Sequence, residues 1–103
     1  MIKHIVMFKL ADKNNKNMED AIAALNTLKG NIETLNFIEI GTDFLCSERS
    51  YDIVLTAHFD DQDGLKTYAG HKNHLPVVDK MRSLCSSSIV VDYESEWLAE
   101  YKT

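Results

Sequence analysis

IKHIVMFKL, residues 2–10, alternates along its whole length. Ile2, His4, Val6, Phe8 and Leu10 fall on one face and Lys3, Ile5, Met7 and Lys9 on the other, the two-residue period of a strand. The first face is apolar apart from His4. The second is apolar in its middle and charged at both ends, which suits a strand partly covered on both sides. This stretch therefore asks for a sheet with protein packed against one face and something further against the other.

The rest of the chain supplies the partners. After the polar ADKNNKN, the residues Met18, Ala21, Ile22, Leu25, Leu28 and Ile32 recur at three- and four-residue spacing, predicting a helix from about residue 18 with one apolar stripe. Asn17 is its expected N-cap, with Glu19 and Asp20 set against the positive end of the helix dipole. Phe37 to Leu45 (FIEIGTDFL) reads as a second strand, in which Gly41 suggests a bulge or bend. Tyr51 to Phe59 (YDIVLTAHF) reads as a third, with Asp52, Val54, Thr56 and His58 on its second face. Asp60 or Asp61 caps a short helix that Gly70 stops. Another helix starts near Asn73, with Pro76 in its first turn, and carries Leu75, Val77, Val78, Met81, Leu84 and Cys85. The run SSS is expected as an exit loop before a fourth strand, Ile89 to Tyr93.

This order, βαββαβ, predicts an α+β fold of ferredoxin-like arrangement: a four-stranded antiparallel sheet with helices on one face. The other sheet face, with Ile5, Met7, Val54, Thr56 and Val90, is too apolar to stay wet. Two sheets packed face to face would cover it, so a two-fold homodimer through the open sheet face is expected.

The length of 103 residues fits a single domain over 1–103, with a core at about 2–94 and a C-terminal extension over 95–103. In that extension Trp97, Leu98 and Tyr101 share one helical side and are expected to pack on the body or on a partner. A net charge of −5 with scattered Lys and Arg argues against nucleic acid as a partner. No apolar run is long enough to span a bilayer, so no membrane partner is expected. The start is too short and too charged for a signal peptide, which makes the cytoplasm the expected location. Cys46 and Cys85 lie far apart and outside any CxxC pair, and are expected to be free thiols filling the core.

The chemistry-bearing residues concentrate in YAGHKNH, residues 68–74. Val77, Val78 and Met81 stand at i+3, i+4 and i+7 from His74, so His74 is expected on the buried stripe facing the sheet. Tyr68 shares the inner side of the short helix with Leu65, and His4 shares the strand face that the helices should cover. Three proton-carrying side chains thus point into one core from three elements. Two imidazoles and a phenol suit general acid–base chemistry near neutral pH. Each is also an ordinary satisfied core residue on its own, and the residues alone leave both readings open. His71, just after Gly70, is expected at the rim or in solvent. The His71/His74 spacing has the form of a metal pair but lacks a third ligand, and no metal site is assigned. His58 is a candidate for the interface face.

IKHIVMFKL, YDIVLTAHFDD, YAGHKNH and IVVDYE, in this order and spacing, resemble the stress-responsive α/β-barrel (Dabb) domains, a dimeric α+β barrel group, over residues 2 to about 94. Lys72 stands where that family usually has proline. The resemblance implies a ferredoxin-like protomer paired into a barrel. It also implies, from a plant member that closes a linear polyketide by aldol condensation without a cofactor, acid–base roles for His4, Tyr68 and His74. Two functions are carried forward. One is a cofactor-independent acid–base enzyme acting on carbonyl or polyketide-like small molecules; the other is a non-catalytic, stress-related or small-molecule-binding homodimer.

Overall fold

The computed structural model describes residues 1–95; the expectation for Trp97, Leu98 and Tyr101 lies outside the described residues. Strand β1 (Ile2–Leu10) is followed by helix α1 (Asn15–Asn26), strands β2 (Phe37–Thr42) and β3 (Ile53–Phe59), helices α2 (Gln62–Ala69) and α3 (Leu75–Leu84), and strand β4 (Cys85–Glu94). The sheet order is β2-β3-β1-β4, antiparallel throughout, the expected ferredoxin-like arrangement. β1 is central, which explains why its sequence is apolar on both faces.

The core forms on one side of the sheet. Ile2 and Leu10 of β1, Ile53, Leu55, Ala57 and Phe59 of β3, Ala21 and Leu25 of α1, and Val77 and Met81 of α3 are buried together. On the uncovered face, register places Lys3, Ile5 and Met7 of β1 beside His58, Thr56 and Val54 of β3, and beside Tyr93, Val91 and Ile89 of β4. Val90 pairs with Val6 and therefore lies on the helix side instead. The open face is nonetheless apolar: Ile89 is 51% exposed, Val91 62% and Phe37 43%.

Several boundaries differ from those read off the sequence, each for a local reason. Helix α1 starts one turn early, because the Asn14 side chain accepts from the Asn17 N–H at 2.8 Å and is the true N-cap. Glu19 and Asp20 therefore lie beyond the first turn, and Asp20 pairs with Lys16 at 3.1 Å. The helix ends at Asn26, yet Leu28 and Ile32 remain buried in the turn that follows. Strand β2 stops at Thr42; the Asp43 carboxylate then accepts from the Cys46 N–H at 2.7 Å and closes a turn. Phe44 and Cys46 are exposed in that turn, so Cys46 does not fill the core, whereas Cys85 packs against it. Gly41 keeps regular register with Val54; a Cβ there would stand 3.2 Å from the Val54 Cγ1, so close cross-strand approach, not a bulge, calls for glycine. The serine run is not a loop: β4 follows α3 directly, and Ser87 and Ser88 pair with Lys9 and Phe8. Leu75, outside the stripe set by His74, Val77 and Met81, is half exposed.

Asp52 is the one buried carboxylate among the described residues, at 6% exposure, not on the open face as its alternation suggested. It lies just before β3. Its Oδ2 accepts from the Leu10 N–H at 2.7 Å, its Oδ1 faces the Lys13 ammonium at 3.3 Å, and its own N–H donates to the Phe8 carbonyl at 2.8 Å. These contacts tie the end of β1 to the start of β3. Replacing Asp52 with Ala strands the Leu10 N–H and is expected to lower unfolding stability by about 1–3 kcal/mol. Urea denaturation checks this, and an unchanged midpoint would refute it.

Candidate functional site

Tyr68, His4 and His74 converge at the helix side of the sheet, as their spacing predicted. Tyr68 is buried in the last turn of α2, its ring packed on that of Phe59 at 4.9 Å between centroids. His4 approaches it edge-on at 5.7 Å and 65°. His74 lies over it at 4.1 Å and 34°. The phenol ring thus stands beside both imidazoles.

Each imidazole is oriented by a different device. His4 sits in β1 between Ala57 of β3 and Asp92 of β4, and its Nδ1 is hydrogen-bonded to the Asp92 carboxylate. The small side chain of Ala57 leaves room for the ring on one side. On the other, two antiparallel strands in register put the carboxylate opposite it. Asp92 was not singled out in the sequence, and only the pairing of two strands far apart in the chain reveals it. The available signal was a lone carboxylate within IVVDY, on the same side of β4 as Val90.

His74 is the residue before α3, its side chain half buried rather than set on the helix proper. Its Nδ1 lies 3.1 Å from the Ala69 carbonyl, which can only accept, so Nδ1 carries the proton and Nε2 keeps its lone pair. Burial pushes the His74 pKa below its ordinary value, and the neighbouring His4 and His71 act the same way; the Ala69 hydrogen bond opposes them. His74 is therefore a neutral base at pH 7. Burial alone pushes the Tyr68 phenol up to about 12, so it stays protonated and remains a donor.

His71 is neither at the rim nor in solvent. Its side chain is only 12% exposed and its Nε2 meets Glu33 at 3.1 Å, while its Nδ1 accepts from the Asn73 N–H at 3.0 Å. Asn73 in turn donates to the Asn31 carbonyl at 2.8 Å. The α2–α3 turn is thereby latched to the segment after α1, which sets where His74 stands. Both nitrogens of His71 and the Nδ1 of His74 are thus committed to separate partners. Among the described residues no three potential ligands gather around a metal position. His58 lies on the open face as expected, its ring 4.5 Å from that of Phe37.

The imidazoles and phenol open into a cleft of about 560 Å³ between sheet and helices. Val6, Phe8, Leu25, Leu28, Val77 and Val78 supply much of its apolar wall. Such a volume suits a small organic molecule. The arrangement pairs a neutral base with a protonated donor inside an apolar enclosure. That combination can remove a proton from a carbon acid and hold the oxygen on which charge develops.

Residues 2–95 match the family described as the stress responsive A/B barrel domain, abbreviated Dabb. The chain belongs to the Dabb family. An uncharacterized protein of Streptomyces coelicolor is 32% identical over 97 residues, covering 91% of this chain and 99% of that one. A dimeric ferredoxin-like protein of unknown function from Thermobifida fusca superposes with a TM-score of 0.82 at 25% identity, covering 91% of this chain and 90% of the other. A hydroxynitrile lyase from Passiflora edulis shares the fold at 16% identity and a TM-score of 0.79, over 92% of this chain and 94% of the lyase. The Dabb fold thus occurs both in proteins without assigned activity and in an enzyme.

The depressed His74 pKa has two consequences. In the unfolded chain the histidine takes up a proton near 6.5, but in the folded protein only at lower pH. Below pH 6.5 the unfolded state therefore binds more protons, and the His74 contribution makes stability fall as pH drops. NMR titration of the ring should give a His74 midpoint below 6.5 with the Nδ1–H tautomer at neutral pH, and His74→Gln should flatten the acid slope of stability. A midpoint at or above 6.5 would contradict the burial argument.

Proposed function

We propose that this Dabb protein is a cofactor-independent acid–base catalyst of small carbonyl compounds, working as a homodimer. The observation that carries this is the fixed tautomer of His74: its Nδ1–H is held by the Ala69 carbonyl and its Nε2 is available in a cleft beside a protonated phenol. In this reading Nε2 removes the proton next to the substrate carbonyl. The Tyr68 hydroxyl donates to the carbonyl oxygen as it becomes an enolate oxygen. His4, oriented by Asp92, stands edge-on to the phenol ring and helps position it. Apolar side chains beside these groups lower the local dielectric and strengthen the interactions.

The dimer reading rests on the open sheet face. Met7, Ile89, Val91 and Phe37 make that face apolar and exposed, and a second copy would cover it. The Thermobifida relative, described as dimeric, supports a homodimer here.

The catalytic reading is tested by deuterium uptake next to the carbonyl of 4-phenylbutan-2-one in D2O, followed by proton NMR. The wild-type protein should exchange faster than buffer. His74→Gln should lose about 100-fold and Tyr68→Phe about 10-fold, within the range for positioned acid–base groups. Binding of the ketone without exchange above buffer would sink the catalytic reading and leave a small-molecule-binding protein. For the dimer, light scattering should give twice the chain mass for wild type and the single mass for Val91→Arg; a monomeric wild type would refute the pairing.

A further inference from the structure

The cleft has a second polar end that the acid–base reading leaves unused. Along α3 the lining residues run from His74 through Val77, Val78 and Met81 to Arg82. Along β4, which returns antiparallel to β1 directly after α3, the helix-side lining residues run from Ser88 to Val90, while Ser86, at the register shift, also lines the cleft and its hydroxyl donates to the Lys9 carbonyl at 3.4 Å. The cleft therefore carries a gradient: two imidazoles and a phenol at one end, aliphatic side chains in the middle, and a guanidinium with hydroxyls at the other. Arg82 is eight residues beyond His74, about 12 Å along the helix at 1.5 Å per residue.

Among the described residues, Arg82 is the only permanently charged one that lines the cleft. Among the described residues no acidic side chain forms an ion pair with it. Asp52, whose carboxylate meets the Leu10 N–H beside Cys85, is already engaged by that N–H and by Lys13. Burial pushes the Cys85 thiol up, so it adds no anion there. An unpaired guanidinium at the mouth of an apolar slot recognises a carboxylate through paired N–H donors.

We propose that the ligand of this cleft is an amphipathic carboxylate: the acid group lies on Arg82 and the Ser88 hydroxyl, an apolar body fills the slot, and the far end reaches His74 and Tyr68. This rests on the proposed function only for what happens at that far end; the anchoring is independent of catalysis. Such a ligand explains why the enclosure is apolar in the middle and polar at both ends.

The test compares binding of decanoate and decan-1-ol to the full chain by isothermal titration at pH 7.5, where the acid is ionised. The two probes share an apolar chain and differ only in the head group. Wild type should prefer decanoate by about 10-fold, the scale of one charge-assisted hydrogen-bonded contact. Arg82→Gln should bring the ratio of the two affinities to about one, and Arg82→Lys should keep part of the preference. Thermal melting of each variant checks that the exposed position has not disturbed the fold. Equal binding of both probes by wild type, no binding of either, or a preference that survives Arg82→Gln would overturn the proposal. Protein that exchanges ketone protons yet shows no decanoate preference overturns the anchor alone. Protein that prefers decanoate but exchanges nothing keeps the anchor and loses the acid–base reading.

Discussion

The pairing of β1 with two neighbours at once is the constraint on which the rest of the structure depends. Because β1 lies between β3 and β4, its residues from Ile2 to Phe8 each have a partner on both sides, and the register Ala57–His4–Asp92 follows from it. A slip of one residue would turn His4 to the open face and Lys3 into the core. Asp52 guards against that slip by holding the Leu10 N–H and the Phe8 carbonyl at the far end of the strand. The same register decides which side chains meet at the site and which remain on the uncovered face.

The second half of the site depends on a turn. The segment between α2 and α3 has little apolar weight, and its geometry comes from polar contacts: His71 to Glu33, Asn73 to the Asn31 carbonyl, and His74 to the Ala69 carbonyl. Together they set the His74 ring over Tyr68 at the head of α3. The absence of a loop between α3 and β4 then runs the helix and the returning strand side by side as the two walls of one cleft. A cleft bounded in this way varies in polarity along its length.

Much of this was legible in the chain. Alternation in IKHIVMFKL and YDIVLTAHF identified the paired strands, and three- and four-residue spacing put His74 and Tyr68 on inward sides. Both signals are strong because burying one face of a regular element imposes a period on its residues. The boundaries were less legible. Asn14 rather than Asn17 caps α1, and Ser86 to Ser88 belong to a strand although their residue types suggest a loop. Neighbouring asparagines compete for one cap on small energy differences, and strand pairing overrides the weak preference of serine against strands.

Local periodicity by itself determined the strand and helix types, their order, and which of His4, Tyr68 and His74 turn inward. Tertiary structure alone decided what each inward group meets. Asp92 stands beside His4 through a pairing that spans nearly the whole described chain, and Asp52 is buried because β1 and β3 bring the Leu10 N–H to it. His71 faces Glu33 instead of water because the segment after α1 folds back against the turn. Such contacts leave no period in the sequence, since they join residues whose proximity is set by the packing of whole elements.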